Sequence, residues 1–265
     1  MRQNIEQKNR IIDDWNGQYP YLKRFSDNCL LMRMDILLIG LWFDIPSAPN
    51  SYSPRLIVKG LWGENYHKEL LDDLLLWQSF SFRFHIKFNR HLDVFDEAAR
   101  LSHLRYGFMF QPELKLSDMF SLIKLFYKIR YGHILFYENA KLIKLMVALS
   151  TFFDSDAALA NAIRRKTERD INKWDEAYFL HDFNKSSKEW LNELYGISAC
   201  RDSFIEQVQR NASRSRIESL NEGHIINDGQ AAIDILNSPD YTIKDKVVDW
   251  LRYYHILAPK RGPLY

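Results

Sequence analysis

Cysteine is nearly missing from this 265-residue chain: Cys29 and Cys200 are the only two, and they stand far apart in sequence. No disulfide framework is expected from such a pair. Cys29 opens an apolar run where a small buried thiol is the common outcome, and both cysteines read as reduced and structural. Glycine and proline are also sparse, at 10 and 8 residues, and the glycines are too dispersed to build a Gly-x-Gly-x-x-Gly or Walker-type phosphate loop. A Gly-x-Ser-x-Gly elbow, a Cys-x-x-Cys pair and a His-Glu-x-x-His helix are missing too, which counts against nucleotide-dependent enzymes, common serine hydrolases and zinc sites built from local ligands.

Charge of one sign is lacking as well. The formal net charge is +2, from 36 basic and 34 acidic residues mixed along the chain, so binding nucleic acid chiefly through phosphates is not the first expectation. Long hydrophobic runs are short of membrane length: Cys29 to Phe43 is interrupted by Arg33 and Asp35. The first ten residues carry no apolar stretch of the kind a secretion signal needs. A cytoplasmic protein without a membrane partner is the expectation.

What is present is an ordinary globular composition, 46% hydrophobic and 14% aromatic. A body of this length buries about three quarters of its unfolded surface. Residues 79 to 89 alternate without a break: Phe80, Phe82, Phe84, Ile86 and Phe88 fall on one side, Ser79, Ser81, Arg83, His85, Lys87 and Asn89 on the other. That is the period of a half-buried strand. Upstream, Asn4 to Trp15 reads as a short amphipathic helix stopped by Gly17 and Pro20 and lying on a sheet edge, Cys29 to Met34 and Ile36 to Asp44 as strands turning at Met34-Asp35, Pro46 to Pro54 as a loop, and Arg55 to Trp62 as a further strand. Leu70, Leu71, Leu74 and Leu75 recur at helical spacing.

After Asn89 the helical period takes over. Ser117, Ser121, Lys124 and Lys128 form one narrow polar stripe on an otherwise apolar helix, and the run from Leu142 to Phe153 suggests its hairpin partner. A helix of up to about 28 residues from Asp154 would carry Leu159, Ile163, Thr167, Ile171, Trp174, Tyr178 and His181 on one stripe, with His181 in the core. Further helices are expected near Ser186 to Tyr195, Asp202 to Ala212, Gln230 to Asn237 and Thr242 to Tyr254. The fold class that follows is α+β: a small antiparallel N-terminal sheet of about four strands packed on a larger all-helical C-terminal body. The sheet region takes residues 1–90 and the helical body 91–265, the two sharing one core.

Four constellations bear on function. His91, Asp93, Asp96, Glu97 and His103 are the densest set of potential metal ligands, but the acids suit the first turns of a helix, with Asp96 pairing Arg100, so neither a metal nor another cofactor is expected. The adjacent pairs Asp13-Asp14, Asp72-Asp73 and His181-Asp182 make poor dyads, because neighbours on a helix do not face each other. Arg83, His85 and Lys87, with Arg90 and His91 just beyond, form an ordered basic row suited to an acidic protein surface or a phosphate. A second basic feature, Arg210, Arg214 and Arg216 among serines, resembles a loop. The expected function is therefore non-enzymatic protein binding, in the manner of an inhibitor or immunity-type protein that neutralises a toxin or enzyme. The competing readings are a metal-dependent hydrolase or nuclease assembled from scattered Asp, Glu and His, and a nucleic-acid-binding module on the basic strand.

Overall fold

A computed structural model of the chain describes residues 2–45, 51–62, 73–74, 86–126, 136–154 and 156–238. In chain order the elements are α1 (Arg2–Gln18), β1 (Lys23–Ser26), β2 (Cys29–Met34), β3 (Leu37–Asp44), β4 (Ser51–Gly60), β5 (Asp73–Leu74), β6 (Ile86–Lys87), α2 (His91–Tyr106), β7 (Glu113–Lys115), α3 (Leu116–Phe126), α4 (Phe136–Phe152), α5 (Ala157–Ile171), α6 (Glu176–Phe183), α7 (Ser187–Ser198), α8 (Arg201–Ala212), α9 (Ser215–Glu218), β8 (Glu222–Ile226) and α10 (Gln230–Asn237). Short 3-10 turns, Phe88–Arg90 and Gly107–Phe110, flank α2.

The fold mixes helix and strand, but the sheet differs from the expected four antiparallel strands. Eight strands join one curled, half-barrel sheet in the order β5-β4-β3-β2-β8-β7, with β1 also on β2 and β6 also on β4. β2, β3 and β4 are an antiparallel meander, whereas β8 lies parallel to both β2 and β7. The region after residue 91 is thus not all helical: it returns two strands to the sheet. β1 takes the first half of one edge of β2, at Leu30 and Leu31, and β8 takes the second half, at Arg33 and Met34.

β8 is held there by the β2–β3 turn. Asp35 sits at φ 48°, a left-handed conformation that aspartate tolerates better than most residues, and its carboxylate accepts the Ile225 N–H at 2.6 Å and pairs with His224 at 3.1 Å. The turn falls at Asp35-Ile36, one residue later than the pattern suggested. β4 begins at Ser51, so part of the expected proline-rich loop is strand, with Pro54 opposite Phe43. Asp73 and Leu74 pair with Ile57 and Leu56 where a helical spacing had been read. Phe80, Phe82, Phe84 and the helix expected near Thr242 lie outside the described residues.

One face of the meander carries Leu30, Met32, Ile39, Leu41, Phe43, Leu56 and Val58, and α1 packs on this face through Ile11, Ile12 and Trp15 rather than lying on an edge. The other face is also buried, although it carries charge: Arg55 pairs with Asp44 and lies 5.0 Å over the Trp42 ring. Among the described residues a single hydrophobic cluster runs from Ile11 to Leu236.

The polar stripe of α3 turns inward. Ser117 donates its N–H and hydroxyl to Asp228, and Lys124, 3% exposed, donates to the Ile235 carbonyl at 2.8 Å and the Ser238 carbonyl at 2.6 Å, placing a cation on the negative end of α10. Ser117 and Lys124 are therefore the points at which α3 holds the start and end of the α10 segment, while Lys128 lies outside the described residues. The long helix expected from Asp154 is two: α5 starts at its Asp156 cap, the chain turns at residues 172–175, and the Asp175 carboxylate accepts the Ala177 N–H to begin α6. Leu159, Ile163, Thr167 and Ile171 are buried as the stripe required, whereas His181, beyond the break, is exposed. Among the described residues no helix is long and apolar enough to cross a membrane.

Candidate functional site

The basic row resolves into an outward and an inward part. Arg83 and His85 lie outside the described residues. Lys87 is exposed on β6 opposite Ser51, while its neighbour Ile86 is 2% exposed, so the alternation persists here with the basic residue outward. Arg90 closes the following turn on the surface and meets Asp93 at 3.7 Å, both side chains being at least 60% exposed. Such a pair is worth well under about 1 kcal/mol, so Arg90 is free to exchange partners.

His91 goes the other way. It is 3% exposed, and its ring joins a hydrogen-bonded chain through three elements. His91 Nε2 lies 2.9 Å from the Asp14 carboxylate on α1, and Nδ1 lies 2.7 Å from the Tyr52 hydroxyl on β4, which accepts the Trp15 indole N–H at 3.2 Å. The carboxylate accepts from Nε2, and in the neutral imidazole Nδ1 is then the acceptor of the Tyr52 hydroxyl proton. In that tautomer the hydrogen bonds all run one way, from Trp15 to Tyr52 to His91 to Asp14.

Aromatic rings enclose this chain. Phe95 packs against His91 at 5.0 Å and edge-on against Trp15 at 5.3 Å, while Phe43 and Phe88 flank Tyr52 at 6.1 and 6.2 Å. Burial pushes the Tyr52 phenol well above its ordinary range; the Trp15 hydrogen bond opposes that rise and the Asp14 charge adds to it. A phenol at 0% exposure with its oxygen already engaged works as a polar bolt joining α1, β4 and α2. Breaking it strands buried donors and acceptors at about 1–3 kcal/mol each.

The potential metal ligands are not gathered. Glu97, not Asp96, pairs with Arg100, in a two-pronged contact of 2.9 and 2.8 Å, and Asp96 is exposed on α2. His103 is exposed and stacks on Tyr19 at 6.2 Å. Among the described residues no three His, Cys, Asp or Glu side chains are placed to hold a metal ion. The cysteines differ from each other. Cys29 is buried, which raises its thiol to about 12, whereas Cys200 is exposed at the start of α8, and hydrogen bonding to Ser203 lowers its thiol.

Asp14, Tyr52 and Trp15 were not singled out as partners of His91, because they stand 77, 39 and 76 positions away in sequence. Asp14 looked like half of an acidic pair; its real partner is on another helix. The second basic feature is likewise not one loop: Arg210 is on α8 and Arg216 on α9, and Arg216 lines a surface cleft with Arg24. No family model, curated protein or solved structure matches this chain.

Proposed function

We propose that this chain is a non-enzymatic protein-binding protein, of the inhibitor or immunity type, that docks an acidic surface of its partner on the basic row Arg83, His85, Lys87 and Arg90. The supporting observation is the split at residues 86–91: Ile86 and His91 are buried while Lys87 and Arg90 stand in solvent at the junction of β6 and α2. A cation pair standing on buried anchors is rigid in its backbone and loose in its charge pairing, which suits electrostatic steering. His91 serves this surface from beneath by fixing the start of α2. The polar groups that resemble catalytic ones, Asp14, His91 and Tyr52, spend their hydrogen bonds on one another.

The test is nuclease-treated affinity capture from the native cell, followed by surface plasmon resonance on the purified partner at two salt concentrations. The Lys87→Glu, Arg90→Glu variant should bind more slowly and lose most of the salt dependence, with circular dichroism unchanged. Unaltered association in a folded variant removes the row from the interface. Capture that disappears with nuclease treatment replaces the protein partner by a nucleic acid.

A further inference from the structure

We infer that the cleft between the β1–β2 hairpin and α9 binds a small organic phosphate, at a site separate from the basic row. The cleft has a volume of about 390 Å³ and is lined by Arg24, Phe25, Ser26, Asp27, Arg216 and Ser219. Its two walls come from opposite ends of the described chain and are tied together, since Lys23 Nζ donates to the Ser219 carbonyl and Asn221 Nδ2 to the Tyr21 carbonyl, both at 2.9 Å. Ile217 and Leu220, 1% and 6% exposed, root the α9 wall in the core. The pairing register of β1 shifts between Arg24 and Ser26, so Phe25 sits at a bulge, a device that re-aims side chains.

The donors in this cleft are the guanidiniums. Ser26 commits its hydroxyl proton to Asn28 Oδ1 at 3.0 Å and Ser219 its own to the Arg216 carbonyl at 3.0 Å, which leaves both oxygens as acceptors. Arg24 donates to Asn9 Oδ1 at 2.7 Å and approaches Asp13 and Asp27 only at 3.8 and 3.6 Å, with the Asp27 side chain fully in solvent. The Arg216 side chain, exposed, makes no hydrogen bond or ion pair among the described residues. Guanidinium forks bind oxyanions two bonds at a time. One fork saturates a planar carboxylate, whereas two forks on separate walls suit a tetrahedral phosphate, which has oxygens for both. The half-buried Phe25 ring offers an apolar wall to the group that carries the phosphate.

The experiment is an amide NMR titration of the full chain with phenyl phosphate, inorganic phosphate and benzoate. Phenyl phosphate should give saturable shifts at residues 24–27 and 216–219 and bind more tightly than either of the others. Arg216→Ala, a surface change that leaves the fold intact, should weaken it about tenfold, as loss of a charge-assisted hydrogen-bonding group does. Arg216→Lys, which keeps the charge without the fork, should restore only part of that, and Lys87→Glu should restore or remove nothing. Absence of saturable shifts at those residues, equal affinity in Arg216→Ala, or benzoate binding as well as phenyl phosphate each overturns the assignment.

Discussion

Two parts of the molecule are built on clustered aromatic rings, and they are secured in opposite ways. In the first, Trp15, Phe43 and Tyr52 come from α1, β3 and β4, are all 0% exposed, and enclose a hydrogen-bonded chain to His91 and Asp14. In the second, Trp174 from the turn before α6 packs with Phe179, Phe183 and Trp190 of the α6–α7 hairpin at 4.3 to 6.2 Å, but only Phe179 is fully buried. The hairpin relies on its surface instead: Ser186 and Glu189 form a reciprocal capping box, and Glu176 accepts the Ser187 N–H at 2.9 Å. Ring chemistry is the same in both. The difference lies in sequence separation and burial, so the first cluster belongs to the unit that unfolds globally and the second is able to open locally.

The largest expected effect is on the first cluster. Trp15→Ala should cost about 3–5 kcal/mol by urea denaturation, as buried aromatic truncations do, and should accelerate thiol labelling of Cys29, which is buried in the same core, without changing labelling of exposed Cys200. A loss below about 1 kcal/mol would break the comparison, because such a figure belongs to a surface site. Tyr52→Phe is the sharper cut: the ring stays, while Trp15 Nε1 and His91 Nδ1 lose their common partner. About 1–3 kcal/mol of destabilisation is expected, with the His91 ring resonances displaced in NMR spectra.

Effects on the hairpin should be smaller and confined. Ser186→Ala removes an N-cap and should cost about 1 kcal/mol, seen as faster hydrogen exchange in α7 with α1 and β4 unaffected. Exchange rising across the whole chain would show that the hairpin is not a separate unit. The weakest effect is in acid. Hydrogen bonds from the Ser186 backbone and hydroxyl hold the Glu189 carboxyl below its ordinary value in the folded state, so its capping contribution is complete above the ordinary glutamate range and fades as pH falls through the lowered value. Exchange in α7 should quicken over that acid interval and lose this pH dependence in Glu189→Gln.

The sequence was most legible where one local period governs an element. Cys29 to Met34 and Gln230 to Asn237 are β2 and α10 as the pattern drew them, and Ser186 was the visible start of α7. It was least legible where an element exists only through a distant partner. β7 and β8 have three and five residues and pair in parallel with one another; the alternation at Gly223 and Ile225 is real but too short to stand out. The α5–α6 break has no proline or glycine to announce it, only the capping Asp175. On α3, the polar stripe gave no sign that Lys124 would be buried, because its acceptors are carbonyls 111 and 114 positions away. At the basic row, alternation correctly aimed Lys87 outward, but the partners that turn His91 inward stand on α1 and β4.

The shared edge of β2 has a consequence for the chain while it is being made. β2, β3 and β4 can pair as soon as residue 60 has left the ribosome, but Arg33 and Met34 wait for Glu222 and Gly223. At ordinary elongation rates the 162 residues from 61 to 222 take roughly eight to thirty seconds to add, far longer than a hairpin needs to form. Throughout that interval β1 already occupies the first half of this edge of β2, at Lys23 to Ser26, so on this side of the meander only Arg33 and Met34 wait unpaired for their strand. β1 thus covers its half of that edge early in synthesis, and the other half is covered only when β8 arrives.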